Sequence, residues 1–188
     1  MMVFYSLENP ASCIFKRRDH EMNIYLELTQ AFNQGRLRAI ICSGQAVVLH
    51  RLAIMSKDGD WILREDEETL THVLSVLQER GATYRFGAPL DLRWLRGGWS
   101  SHLEFRDEPL RVRTDFFTRP PRLSPAVLSE LWQTQQNCNP PFVGLRELAE
   151  LKKTNREKDY AVIGELARKL ISVEDQLLYS RSARIFWK

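Results

Sequence analysis

Cysteine is scarce and poorly placed for cross-linking. Cys13, Cys42 and Cys138 are odd in number, far apart and form no Cys-x-x-Cys pair. This argues against a disulfide framework and points to a reducing, cytoplasmic setting. The four histidines, His20, His50, His72 and His102, are scattered, so a zinc centre has no support. No apolar run approaches the ~20 residues of a bilayer span, and no membrane partner is expected. The opening "MMVFYSLENPASC" has an early glutamate and no basic leader, unlike a secretory signal. Neither sign of charge dominates, with 27 basic against 24 acidic side chains and a net charge of +3. Such a balance tolerates a phosphate-bearing ligand without demanding nucleic acid. Aromatic and basic residues do not interleave along the chain as they do in a nucleic-acid-binding segment. Internal repeats and low-complexity tracts are absent as well.

What is present fits a small α+β protein. The 188 residues, 44% of them apolar, suffice for one core with a helical appendage. A short basic cluster at 16–18 reads as solvated surface. Helical spacing of Ile24, Leu28 and Ala31 predicts a helix from Asp19 to Gly35. "LRAIIC" (37–42) reads as a buried strand, "QAVVLHRLA" (45–53) as a short helix and "SKDGDWIL" (56–63) as a second strand. Asp66, Glu67 and Glu68 open the clearest helix, whose Leu70, Val73, Leu74 and Leu77 share one face and which Gly81 ends. "ATYRF" (82–86) is a strand and 87–98 mostly loop. "SSHLEF" and "LRVRTDFF" form a hairpin around "RDEP". "RPPRLSP" (119–125) divides a core of residues 1–118 from a helical region, 119–188. In that region Thr154 and Glu157 match a capping box, so a helix is expected to start near Asn155.

The stretch "SKDGDWIL" is unusual for a strand, because aspartate and glycine are poor strand formers. Side chains in a strand alternate, so Asp58 and Asp60 project to one face while Lys57, Gly59 and Trp61 project to the other. Paired carboxylates repel unless a cation relieves them, and hard oxygen donors suit Mg²⁺. Asp115 in "LRVRTDFF" is the best third carboxylate, and Arg111 and Arg113 share its face as a basic row. The same letters also suit a hairpin turn. They do not fit an EF-hand, whose pattern requires an oxygen ligand at Ile62 and glycine at Leu63.

The order of motifs resembles the nucleotidyltransferase superfamily of DNA polymerase beta, in particular its small bacterial branch with abortive-infection toxins. Ser43-Gly44-Gln45-Ala46 is similar to the branch's G-G-x-A, His50 stands in the following helix, and Ser56, Asp58 and Asp60 match its R-x-T-x-D-[IL]-D. Lys152, Arg156, Lys158 and Asp159 match a K-x-x-x-R-x-K-D pattern. Four positions depart: Ser43 replaces the first glycine, Arg51 follows His50 where glycine is usual, Ile54 and Met55 occupy the region where an arginine precedes the Thr/Ser, and Gly59 separates the aspartates where an apolar residue is usual. The last change is expected to loosen the strand.

The resemblance implies a nucleotidyltransferase-like mixed sheet flanked by helices, and transfer of a nucleoside monophosphate from an NTP to an acceptor hydroxyl on RNA, protein or a small molecule. Asp58, Asp60 and Asp115 would hold two Mg²⁺ ions. Ser43, Gly44, Gln45, Lys152, Arg156 and Lys158 would meet the nucleotide. An antitoxin partner is implied for toxin-type members. The alternative is a catalytically silent member of the fold that acts as a binding or regulatory module.

Overall fold

The computed structural model describes residues 23–154 and 156–180. Cys13, His20, the cluster at 16–18, the first turn of the expected helix and Asn155 lie outside the described residues. Thirteen elements follow in chain order: α1 (Ile24–Phe32), β1 (Ala39–Cys42), α2 (Ser43–Leu49), β2 (Asp58–Leu63), α3 (Glu67–Glu79), β3 (Thr83–Gly87), α4 (Leu92–Arg96), β4 (Ser101–Asp107), β5 (Leu110–Phe117), α5 (Pro125–Thr134), α6 (Leu145–Leu151), α7 (Glu157–Lys169) and α8 (Val173–Tyr179).

Local chemistry sets several boundaries. Asp66 accepts a hydrogen bond from Thr69 N and caps α3, with Glu67 and Glu68 in its first turn, where carboxylates complement the helix dipole. Ser124 caps α5 in the same way, with Pro125 at its first position. Two expectations need correction. The segment 87–98 is not mostly loop, because it contains α4, capped by Asp91 and anchored by buried Leu92 and Leu95. Thr154 does not form a capping box either. The α7 cap is Arg156, without a side-chain cap bond, and the Thr154 hydroxyl donates to Asp159 instead.

The fold is α+β, with one mixed five-stranded sheet of order β1-β2-β5-β4-β3. β2 pairs antiparallel with β1 and parallel with β5, and β4 pairs antiparallel with both β5 and β3. Residues 58–63 are therefore a central strand rather than a hairpin turn. Behind the sheet, Trp61 and Phe116 are register partners whose rings stack at 5.5 Å, with Phe32 edge-on to both. Trp61 Nε1 donates to Thr29 Oγ1 at 2.9 Å. Truncating one such buried ring costs about 3–5 kcal/mol, so this cluster holds β2 and β5 firmly in register. The C-terminal helices share the same core through Leu131, Val143, Leu148, Ile163 and Leu166. Pro141 O and Val143 N bond both backbone groups of Ile41, which extends the sheet beyond β1.

Gly59 corrects a further expectation. It does not loosen the strand by leaving space behind the sheet. A Cβ there would lie 2.4 Å from the Trp61 ring and 2.5 Å from the Tyr25 ring. The rings of Tyr25 and Trp61 occupy the volume that an apolar residue 59 would fill, and only glycine lets them approach so closely.

Candidate active site

Register places the carboxylates. Directly paired residues share a face of the sheet. Asp60 lies opposite Asp115, Asp58 opposite Arg113, and Asp115 opposite His102 across β4. The aromatic cluster occupies the other face, so the core that locks Trp61 against Phe116 also forces Asp60 against Asp115. Like charges directly opposite one another are destabilising.

The electrostatics reflect this crowding. Burial pushes the Asp60 carboxyl up to about 7, and Asp115 and Asp58 push it the same way. Lys152 and a hydrogen bond from Ser43 oppose the rise. Asp58 Oδ1 is buried without a hydrogen-bond partner, and Arg113 Nη1 stands 3.7 Å from it. Asp115 Oδ1 accepts from His102 Nδ1 at 2.8 Å and faces Arg85 Nη1 at 3.6 Å. Among the described residues no three histidine, cysteine, aspartate or glutamate side chains stand ready as a metal cage. The donor chemistry of the three aspartates nevertheless suits a hard cation: a buried Asp58 oxygen without a hydrogen bond, an Asp60 carboxyl whose rise a cation would relieve, and Asp115 directly opposite it.

Ser43 and Gly44 join β1 directly to α2. Ser43 has a φ of 52°, the left-handed region in which glycine is most at ease. Its hydroxyl turns to Asp60. A Cβ at Gly44 would stand 2.2 Å from Ser56 Oγ, so glycine is what allows α2 to lie against the entry to β2. The buried Gln45 side chain donates to Ser56 O and Asp58 O. That side-chain amide braces the strand carrying the aspartates.

The expected cations divide. Lys152 is 8% exposed, bonds Asp159 Oδ1 at 3.4 Å and acts on Asp60. Arg156 Nε donates to Asp159 Oδ2 at 2.8 Å, and Lys158 is exposed. Arg111 is drawn to Glu104 at 2.7 Å, so the row of arginines is broken after Arg113. His50 packs edge-on against Phe142 and bonds Val143 O at 2.9 Å, away from the carboxylates.

Sequence reasoning missed His102 and Arg85. The signal for His102 was present in the hairpin: counting outward from the Asp107↔Leu110 pair reaches His102 opposite Asp115. Arg85 carried no such signal, because it sits at an irregularity in the β3–β4 pairing. A cavity of about 890 Å³ adjoins the site at Tyr25, Ser56, Lys57 and Arg113, but none of the three aspartates lines it. No helix among the described residues is long and apolar enough to cross a membrane. Comparison with family models, with curated proteins and with solved structures finds no match to this chain.

Proposed function

We propose that the chain is a Mg²⁺-dependent nucleotidyltransferase that moves a nucleoside monophosphate from an NTP to an acceptor hydroxyl on RNA, protein or a small molecule. The observation that carries this reading is the forced pairing of Asp60 with Asp115 on adjacent parallel strands, with Asp58 one alternation away on the same face. A fold gains no stability from setting carboxylates against one another, so the arrangement supports a cation-binding role. Two Mg²⁺ ions held by Asp58, Asp60 and Asp115 would neutralise the triphosphate and acidify the acceptor hydroxyl.

The remaining work falls to the chain's own groups. The Asp60 carboxyl, raised to about 7 by burial and its carboxylate neighbours, would hold a cation in its deprotonated form. Lys152, held by Asp159, limits the negative charge around Asp60. His102 and Arg85 engage one oxygen of Asp115, and the other would either ligate the metal on the nucleophile side, the acceptor's proton then passing to solvent, or take that proton itself. The acceptor oxygen then bonds the α-phosphorus, the bond from phosphorus to the bridging oxygen breaks, and pyrophosphate departs. Toxin-type activity and an antitoxin partner remain part of this proposal on the strength of the motif resemblance alone.

A competing reading, a catalytically silent binding module, draws on the engagement of Asp115 by His102 and Arg85. Incubation with α-labelled NTPs, Mg²⁺ and acceptors including bulk tRNA and the protein itself separates the two. Label transfer that disappears in Asp58→Ala and Asp60→Ala supports the enzyme. No transfer to any acceptor, together with no thermal shift by Mg²⁺–NTP, refutes it.

A further inference from the structure

We infer that Phe86 and His102 form a stacking subsite for a nucleobase, on the same sheet face as the three aspartates. The inference rests on the proposed function only in choosing a nucleobase among planar ligands. The pairing of β3 with β4 slips between Tyr84 and Phe86, which brings Phe86 opposite His102. His102 is opposite Asp115, so all three residues share one face. Tyr84, before the slip, is turned to the other side, where its hydroxyl meets Leu90 N.

The Phe86 and His102 rings stack with centroids 4.3 Å apart and planes 25° from parallel. His102 Nδ1 reaches Asp115 Oδ1 at 2.8 Å. The Arg85 guanidinium lies 4.9 Å from the Phe86 ring centre and 3.6 Å from the same Asp115 oxygen. Both neighbours of the ring thus reach the same Asp115 oxygen. Phe86 is still 59% exposed, on the outermost strand of the sheet.

Gly87 makes the stack possible. A Cβ there would lie 2.8 Å from both His102 Cδ2 and Ser100 O, at a φ of +86° that side chains rarely adopt. A lone exposed aromatic residue needs no explanation. One stacked on an imidazole that is hydrogen-bonded to a site carboxylate does. Two strand spacings, about 10 Å, separate Phe86 from Asp115, on the scale of a nucleoside that stacks its base at one end and presents its sugar or phosphate at the other. Arg85 adds a cation beside the ring, the combination that single-stranded nucleotides favour. The fold thus assembles an aromatic–basic surface that linear spacing does not reveal.

The test is calorimetric titration of the full chain and its Phe86→Ala and Phe86→Trp variants with three probes. These are an NTP, inorganic tripolyphosphate and a short single-stranded oligonucleotide, each in Mg²⁺ and in EDTA. Phe86→Ala should weaken at least one base-bearing probe roughly tenfold, leave tripolyphosphate unchanged, and be rescued by Phe86→Trp. Loss confined to the NTP assigns the subsite to the donor base, and loss confined to the oligonucleotide assigns it to an acceptor base. Either supports the inference. Unchanged affinity for both base-bearing probes, an equal loss for tripolyphosphate, or no binding of either base-bearing probe by the unaltered chain overturns it. Failure of the metal–triphosphate reading shows separately, as tripolyphosphate binding in Mg²⁺ that is indifferent to Asp60→Asn, whereas Phe86-dependent binding in EDTA does not involve the metal.

Discussion

A carboxyl that burial and two neighbouring carboxylates raise from 3.8 to about 7 holds its proton more tightly in the folded chain than in the unfolded one. Between those values the native state binds more protons, so its stability falls as pH rises through the interval and the full penalty stands above pH about 7. Asp60→Asn removes the penalty. In chelator at pH 8 the variant should melt higher than the unaltered chain, by an amount on the order of a few kcal/mol at most. Near pH 4 the difference should vanish, and thermal melts at the two pH values check this. Gly59 makes an equally local prediction. Gly59→Val drives a side chain into the Tyr25 and Trp61 rings and should cost about 2 kcal/mol or more in urea unfolding. Period-two alternation put Gly59 behind the aspartates correctly. It could not show that Tyr25 fills the space there, because that contact crosses more than thirty residues of chain.

Among the elements, the junction of α6 and α7 turns on one buried carboxylate. Asp159 is 2% exposed and accepts from Lys152, Thr154 and Arg156. Burial pushes its carboxyl up, but these partners together hold it below its ordinary value. Asp159→Ala leaves the Lys152 ammonium buried without its counter-charge and should cost about 3–5 kcal/mol at pH 7. Because the contribution is present above the unfolded value and lost as pH falls, the deficit should shrink toward pH 3, which urea titrations across that range would show. The spacing of Lys152, Arg156 and Asp159 was legible in the sequence as part of a K-x-x-x-R-x-K-D pattern. Its closure around Asp159 was not, since α6 ends at Leu151 and α7 begins at Glu157, and the turn between them brings the charges together. α3 and the β4–β5 hairpin were legible from their regular apolar periods, and β1 as a short apolar run. α4 was not, because its five residues lie between Pro89 and Gly97 and offer only Asp91, Leu92 and Leu95 as signals.

At the scale of the whole molecule, one core serves two ends. The stack of Trp61 on Phe116 fixes the register that brings Asp60 and Asp115 together, and the C-terminal helices that share this core deliver Lys152 to Asp60. The proline-rich stretch 119–125 therefore marks a change of local structure and not a break in packing: Leu131, Val143, Leu148 and Ile163 lie in the same cluster as the sheet. The carboxylate pair was readable from Asp58 and Asp60 alone, and Asp115 from its strand. Their direct opposition required the parallel pairing of β2 with β5, which no local pattern specifies. The most direct measurement of the central claim is a calorimetric titration of Mn²⁺, as a Mg²⁺ probe, into the protein with a non-hydrolysable NTP analogue at pH 8. The account predicts metal binding that weakens at least about tenfold in Asp58→Asn and in Asp60→Asn, with each variant still folded. Equal metal affinity in both variants and the unaltered chain would contradict it.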